Sequence, residues 1–222
     1  MRAAHADRCA PGSLHRLGGE RIAYAGFASH GAVARERPGG RVLARFGRTN
    51  VNDYPTVLGV TGKVVRRDCS PSWYRVELPM RPNGSVGYVR ARALRLRPVR
   101  TRIEVSLSKR RLVVYRRGRP VLRATVAVGA PGTPTPTGRY YVDQRLIPDD
   151  PAGPYGPAAI GISAFSDVLA GWAQGGPVAI HGTDEPWSIG RDVSNGCIRL
   201  PNDTLRRVFP LAVAGTPVII SS

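Results

Sequence analysis

The chain has 222 residues, 42% of them hydrophobic, which is enough apolar mass for a buried core and excludes global disorder. Its 33 Lys and Arg against 15 Asp and Glu leave a formal charge of +18, a field that attracts polyanions. No basic helix and no aromatic-interleaved basic motif accompanies that charge, which speaks against nucleic-acid binding, and no apolar run reaches the length of a transmembrane helix.

Glycine (26) and proline (20) are abundant and helical periodicity is scarce, so the expected class is mainly β with one or two short helices. Residues 1–21 are polar, rich in Gly and Arg and without hydrophobic periodicity, and read as a flexible N-terminal tail. They lack the apolar stretch of a signal peptide. From Ile22 short apolar runs alternate with turn signals. In 32–46 two such runs flank Pro38-Gly39-Gly40, and in 73–94 two strands flank Pro82-Asn83-Gly84. Strand–turn–strand units this short predict a small β-barrel over 22–98. Trp73-Tyr74-Arg75-Val76 and the closing Gly87-Tyr88-Val89 resemble bacterial SH3-type domains.

The segment 94–102, LRLRPVRTR, reads as an arginine-rich linker that would let the two halves separate. Charge divides unequally across it: residues 1–100 carry 19 basic and 6 acidic groups (+13), and residues 101–222 carry 14 and 9 (+5). Beyond it lies a second domain, 99–222. Ile103, Val105 and Leu107 alternate with polar residues, as in a half-buried strand. Residues 111–129 read as a hairpin turning at Arg117-Gly118, 129–142 as a proline-rich turn into a strand, and 177–180 as a strand ending at His181. Asn202 or Asp203 is the expected N-cap of a short helix, and 214–220 is a turn and a final strand.

The chain has three cysteines, Cys9, Cys69 and Cys197, and four histidines. Neither type shows metal-ligand spacing, so no metal site is expected. An odd number of cysteines leaves one thiol unpaired. His181, the only histidine of the second half, stands fifteen residues before Gly196-Cys197. A loop of that length can fold back to bring imidazole and thiol together. A thiol needs such a base to become a nucleophile. Gly196 gives the backbone freedom at the nucleophile, where amides can meet an oxyanion. The same residues also suit a plain role, with Cys197 as a small buried apolar side chain and His181 as strand-end packing. Asp184, Glu185 and Asp192 read as loop carboxylates facing water. Tyr155 and Trp187 fit either a substrate groove or packing.

His181-Gly182-Thr183, followed by Ser188-Ile189-Gly190 and Val193-Ser194-Asn195-Gly196-Cys197-Ile198-Arg199-Leu200, resembles the signature of L,D-transpeptidases with the YkuD-type catalytic domain. The opening hairpins, the TPTPTGRYYV turn and the PAAIGISAF strand are similar too. The resemblance implies a β-rich YkuD-type domain with Cys197 as acyl-accepting nucleophile and His181 as the base of a thiolate–imidazolium pair. It implies that the amides of Gly196 and Cys197 serve the oxyanion hole, that Ser194 shapes the loop, and that Arg199 holds the site or the substrate's negative groups. Asn195 stands where many members have a second histidine. Gly182 replaces a serine found in some, leaving a backbone carbonyl to orient the imidazole. The implied reaction cleaves a peptidoglycan stem tetrapeptide after its third residue and passes the acyl group to an amine, with no cofactor. The implied partners are stem peptides of the wall, with an anionic wall surface suited to the charge and a monomeric enzyme. That substrate calls for an exported protein in the cell envelope, against the absence of a visible signal peptide. The alternatives are a wall-directed cysteine peptidase or amidase and an inactive wall-binding protein.

Overall fold

The computed structural model describes residues 9–222, so residues 1–8 of the expected tail lie outside the described residues. The first half is one eight-stranded sheet made of β1 (Leu14–Arg16), β2 (Ala23–Ala28), β3 (Ala32–Arg35), β4 (Val42–Phe46), β5 (Val57–Val65), β6 (Pro71–Glu77), β7 (Val86–Arg90) and β8 (Leu94–Val99). Its order is β4-β3-β7-β6-β5-β2-β8, with β1 added against β5. The two glycine–proline turns seen in the sequence connect β3 to β4 and β6 to β7. Ala34, Leu58, Val60, Val76 and Val89 form the centre of this half's core.

The second half holds β9 (Thr101–Ser106), β10 (Arg111–Arg116), β11 (Arg119–Thr125), β12 (Val128–Gly129), β13 (Gly138–Leu146), β14 (Ala159–Phe165), β15 (Pro177–His181), β16 (Asp192–Ser194), β17 (Ile198–Arg199), the helix α1 (Asn202–Val208) and β18 (Pro217–Ser221). Eight strands make a second sheet in the order β11-β10-β9-β18-β13-β14-β15-β17, and β12 pairs with β16. Ile103 and Val105 are buried as their alternation predicts, and Leu205 and Val208 of α1 join them in one core with Leu112, Ile160, Ile180 and Ile198. Among the described residues no helix is long and apolar enough to cross a membrane.

Two expectations need correction. Residues 9–21 are not a loose tail: β1 pairs with β5, and a disulfide joins Cys9 to Cys69. Segment 94–102 is not a linker either. Arg100 alone separates β8 from β9. β8 is an edge strand, where Pro98 and outward arginines cost no ladder bonds, so a composition typical of linkers is compatible with pairing.

The two sheets meet along a seam rich in hydrogen bonds. The fully buried Tyr141 donates its hydroxyl to the Val57 carbonyl at 3.1 Å. Asn50 and Asn52 both donate to Gln144 Oε1 at 2.8 Å. Asn83 pairs with both backbone groups of Phe165, and Arg81 donates to the carbonyls of Ser166 and Gly175. Ala25, Val57, Val99 and Ala214 close a small apolar cluster between the halves. Glu77 and Asp143 lie partly buried in the same seam. Desolvation pushes both carboxyls up to about 7, against the lowering effect of Arg139 and Arg75 on Glu77 and of backbone amides on Asp143. Among the described residues Asp143 Oδ1 has no hydrogen-bond partner.

Candidate active site

β15 pairs in parallel with β17, with Ile180 opposite Ile198 and His181 opposite Arg199. Registered partners share a face of the sheet, and alternate residues share it along each strand. Ile180 and Ile198 are fully buried in the core, so His181, Arg199 and, two residues earlier, Cys197 lie on the opposite face. The Ala179 amide donates to Cys197 Sγ at 3.4 Å, which places the sulfur beside β15 two residues from the histidine. The pairing of a short strand with a buried one thus brings together two groups sixteen positions apart.

His181 is 4% exposed. Its Nδ1–H donates to the Gly182 carbonyl at 2.5 Å, which leaves Nε2 with the free lone pair. The backbone carbonyl is thus the orienting group that the missing serine left as the remaining choice. Gly182 has no room for a side chain, because a Cβ there would sit 2.2 Å from Asn202 Oδ1. Asn202 instead clamps Thr183, accepting from its amide at 2.8 Å and donating to its carbonyl at 3.0 Å. This corrects the expected capping role: Pro201 occupies the N-cap, and no side chain caps α1. Tyr155 meets the imidazole edge-on with ring centroids 5.1 Å apart, and its ring is half-exposed at the site's mouth. Trp187 is also half-exposed, with Arg191 over its ring, so neither aromatic belongs to the core.

The turn before Cys197 is closed by Ser194, whose hydroxyl donates to the Cys197 carbonyl at 2.6 Å. Gly196 has φ +103°, a region closed to most L residues. Its amide donates to Ser194 Oγ at 3.2 Å, so that N–H is engaged in this state. Thr133 Oγ1 and the Ala130 amide both donate to the Ser194 carbonyl at 2.9 Å, tying the turn to the proline-rich segment before β13. Asn195 is exposed.

Arg199 forms an ion pair with Glu185, and Arg110 makes a two-pronged pair with Asp192 at 2.7 and 2.8 Å. These two loop carboxylates were expected to face water. Glu185 instead fixes the guanidinium beside the histidine, and Asp192 moors the far side of the loop to Arg110, just before β10. The only sequence signal for the first was the acidic pair Asp184-Glu185 upstream of Arg199, too common a pattern to single out.

Burial drives His181 down to about 4, with the Gly182 bond opposing, Arg199 adding to the effect and Asp184 opposing it. Burial also pushes the Cys197 thiol up, although the Ala179 amide and Arg199 act in the other direction. Both shifts run towards the neutral forms, thiol for Cys197 and imidazole for His181. No hydrogen bond joins the two side chains in this state.

Residues 100–220 match the YkuD model, described as the L,D-transpeptidase catalytic domain. A putative L,D-transpeptidase YkuD of Bacillus licheniformis is 36% identical over 120 residues, covering 54% of this chain and 65% of that protein. The Bacillus subtilis counterpart is 33% identical over 119 residues with the same coverages. The chain therefore spans just under two thirds of the length of these relatives. Among solved structures, L,D-transpeptidase 3 from Mycobacterium tuberculosis aligns with a TM-score of 0.47 and 14% identity, covering 92% of this chain and all of that one.

Proposed function

Because the chain belongs to the L,D-transpeptidase family through residues 100–220, which match its YkuD catalytic domain, we propose that it is a peptidoglycan L,D-transpeptidase working through an acyl-enzyme on Cys197. The observation that carries this reading is the β15–β17 pairing. It sets Cys197 on the same sheet face as His181, whose Nδ1 is tied to Gly182 and whose Nε2 is free to act as a base.

In this scheme Cys197 Sγ attacks the carbonyl of the third residue of a stem tetrapeptide while its proton passes to His181 Nε2. The tetrahedral intermediate collapses as that proton moves to the departing nitrogen, and D-alanine leaves. An amine of a second stem then attacks the thioester, gives its proton to His181, and the thiol re-forms on Cys197. A neutral resting pair suits this sequence, since the imidazole must accept a proton at the moment of attack. The amide of Cys197 stabilises the oxyanion, and that of Gly196 joins it when its 3.2 Å bond to Ser194 yields. Arg199, held by Glu185, presents positive charge to the substrate's carboxylate. The scheme uses no metal or organic cofactor. The enzyme acts as a monomer outside the cytoplasmic membrane, a setting in which the Cys9–Cys69 disulfide persists. The SH3-like first half, with residues 22–98 as its body, braces the catalytic half, residues 99–222.

Mass spectrometry after exposure to a carbapenem, with tetrapeptide turnover in parallel, tests the nucleophile. The native protein should gain one adduct, and Cys197→Ala should lose both adduct and turnover. A Cys9→Ser/Cys69→Ser variant should keep both. An adduct on the Cys197→Ala protein would overturn the assignment.

A further inference from the structure

At the turn between β10 and β11 lies an open groove of about 930 Å³ lined by Arg21, Arg100, Arg116, Arg117 and Arg119, with Glu20 its only carboxylate among the described residues. All five arginines are exposed, and among the described residues none forms an ion pair. Three separate pieces of chain supply them: the segment before β2, the single residue between β8 and β9, and the hairpin turn.

The arrangement works against the fold's own stability. Arg116 and Arg119 are direct cross-strand partners, a like-charge pairing that destabilises a hairpin. Arg117 holds φ +52°, a left-handed conformation that hairpin turns normally give to Asn, Asp or Gly. Its amide donates to the Arg100 carbonyl at 2.7 Å, so the turn is fastened to the junction and the two arginines are held close together. Guanidinium groups concentrated in this way repel one another until an anion enters, and their planar forks suit phosphate oxygens.

We infer that this groove binds a flexible polyanion of repeating phosphodiesters without bases, a polyol-phosphate chain. The open shape fits a chain better than a small anion. No aromatic side chain lines the groove, so stacked nucleic-acid bases find no platform. Its apolar lining is limited to Ile22 and Val121, too little to enter a bilayer. The groove is separate from the catalytic loop. That loop touches the opposite end of the same hairpin through Arg110 and Asp192, and the seven residues from Arg119 to Thr125 span about 20 Å. The inference does not rest on the catalytic reading.

The test measures binding of labelled poly(glycerol phosphate) across a salt series. The first variant is Arg116→Ser/Arg117→Asn/Arg119→Ser, which leaves a favourable Asn-Gly turn. A second, Arg21→Gln/Arg119→Gln, leaves the turn residues Arg117 and Gly118 intact should the first fail to fold. Arg45→Ser/Arg48→Ser/Arg67→Ser removes equal charge from exposed positions outside the groove. The groove variants should bind at least about tenfold more weakly, with a salt dependence shallower by roughly two to three ions. The control should stay within about twofold of the native protein. Phosphatidylglycerol vesicles, inorganic phosphate and oligo-dT should each compete poorly. Equal losses in control and groove variants would reduce the effect to net charge and overturn the site. Vesicles or oligo-dT competing as well as the polymer would overturn the choice of ligand.

Discussion

The loop between His181 and Cys197 and the seam between the sheets both hold titratable side chains away from water, and in both places desolvation shifts them towards the neutral form. The consequences run in opposite directions. In the loop the buried group is a base, His181, pushed down to about 4 and furnished with a partner for Nδ1. In the seam the buried groups are acids, Glu77 and Asp143, pushed up to about 7, and Asp143 Oδ1 has no partner. A buried base held neutral can accept a proton. A buried acid held neutral only makes the joint between two sheets sensitive to alkali. The difference shows that desolvation sets the protonation state, while the local hydrogen-bond partner decides whether that state serves chemistry or packing.

The largest expected effect comes from removing the seam altogether. The sequence suggested that residues 99–222 would stand alone. The structure gives them a face made of Tyr141, Gln144, Phe165 and Ala214, whose partners Val57, Asn50, Asn83 and Ala25 lie in the other half. A truncated protein lacking residues 1–98 should melt at least about 10 °C lower than the whole chain, or precipitate. Its tetrapeptide turnover should fall with its folded fraction. Equal melting temperature and equal turnover would show that the seam is dispensable and the comparison ill-founded.

Next in size is the base proposed for the loop. His181→Gln should slow acylation by a carbapenem by roughly two to four orders of magnitude. Stopped-flow acylation and thermal melting, taken together, separate the two regions: the rate should collapse while the seam-dominated melting temperature at neutral pH moves little. A rate within about threefold of native would transfer the base role to another group, and Asp184 would be the first to replace.

These two regions also differ in how much the sequence disclosed. The loop is legible because its chemistry sits within twenty consecutive residues, and two rare residue types stand there beside glycines. What the sequence hid in the loop was pairing by common residues. Glu185 and Asn202 hold Arg199 and Thr183, yet nothing in an isolated Glu or Asn marks it as a clamp. The seam was invisible for a related reason. Asn50, Asn52 and Asn83 bond to residues 82 to 94 positions away, and each reads locally as a turn residue. Segment 94–102 misled because an edge strand tolerates the proline and arginines that also make a linker. The strand pattern of the second half, by contrast, followed directly from alternation, as at Ile103 and Val105. The Cys9–Cys69 pairing had no signal beyond an even remainder once Cys197 was set aside.

The smallest effect is the sharpest test of the comparison, because it asks for a change of sign. Between about pH 4 and 6.5 the unfolded chain binds a proton on His181 that the folded chain does not, so this group makes stability rise with pH. Between about pH 4 and 7 the folded chain keeps protons on Glu77 and Asp143 that the unfolded chain, with ordinary values of 4.5 and 3.8, has released. Their contribution is fully present below those ordinary values and is lost as pH rises towards 7, so they make stability fall. One proton of difference corresponds to about 1.4 kcal/mol per pH unit at full burial, and two acids oppose one base. Asp68, lowered by its bonds to Ser70, and Asp192, lowered by Arg110, titrate below this window. Denaturant unfolding at steps from pH 4.5 to 8 should therefore show the native protein losing stability gently up to about pH 7 and levelling off above it. In Glu77→Gln/Asp143→Asn the slope below pH 6.5 should reverse, because only the His181 contribution remains. In His181→Gln the downward slope should steepen. If the double variant kept the native slope, the seam carboxyls would be ionised in the folded protein, and the opposition between the two regions would fail at the acids while the loop's base remained untouched.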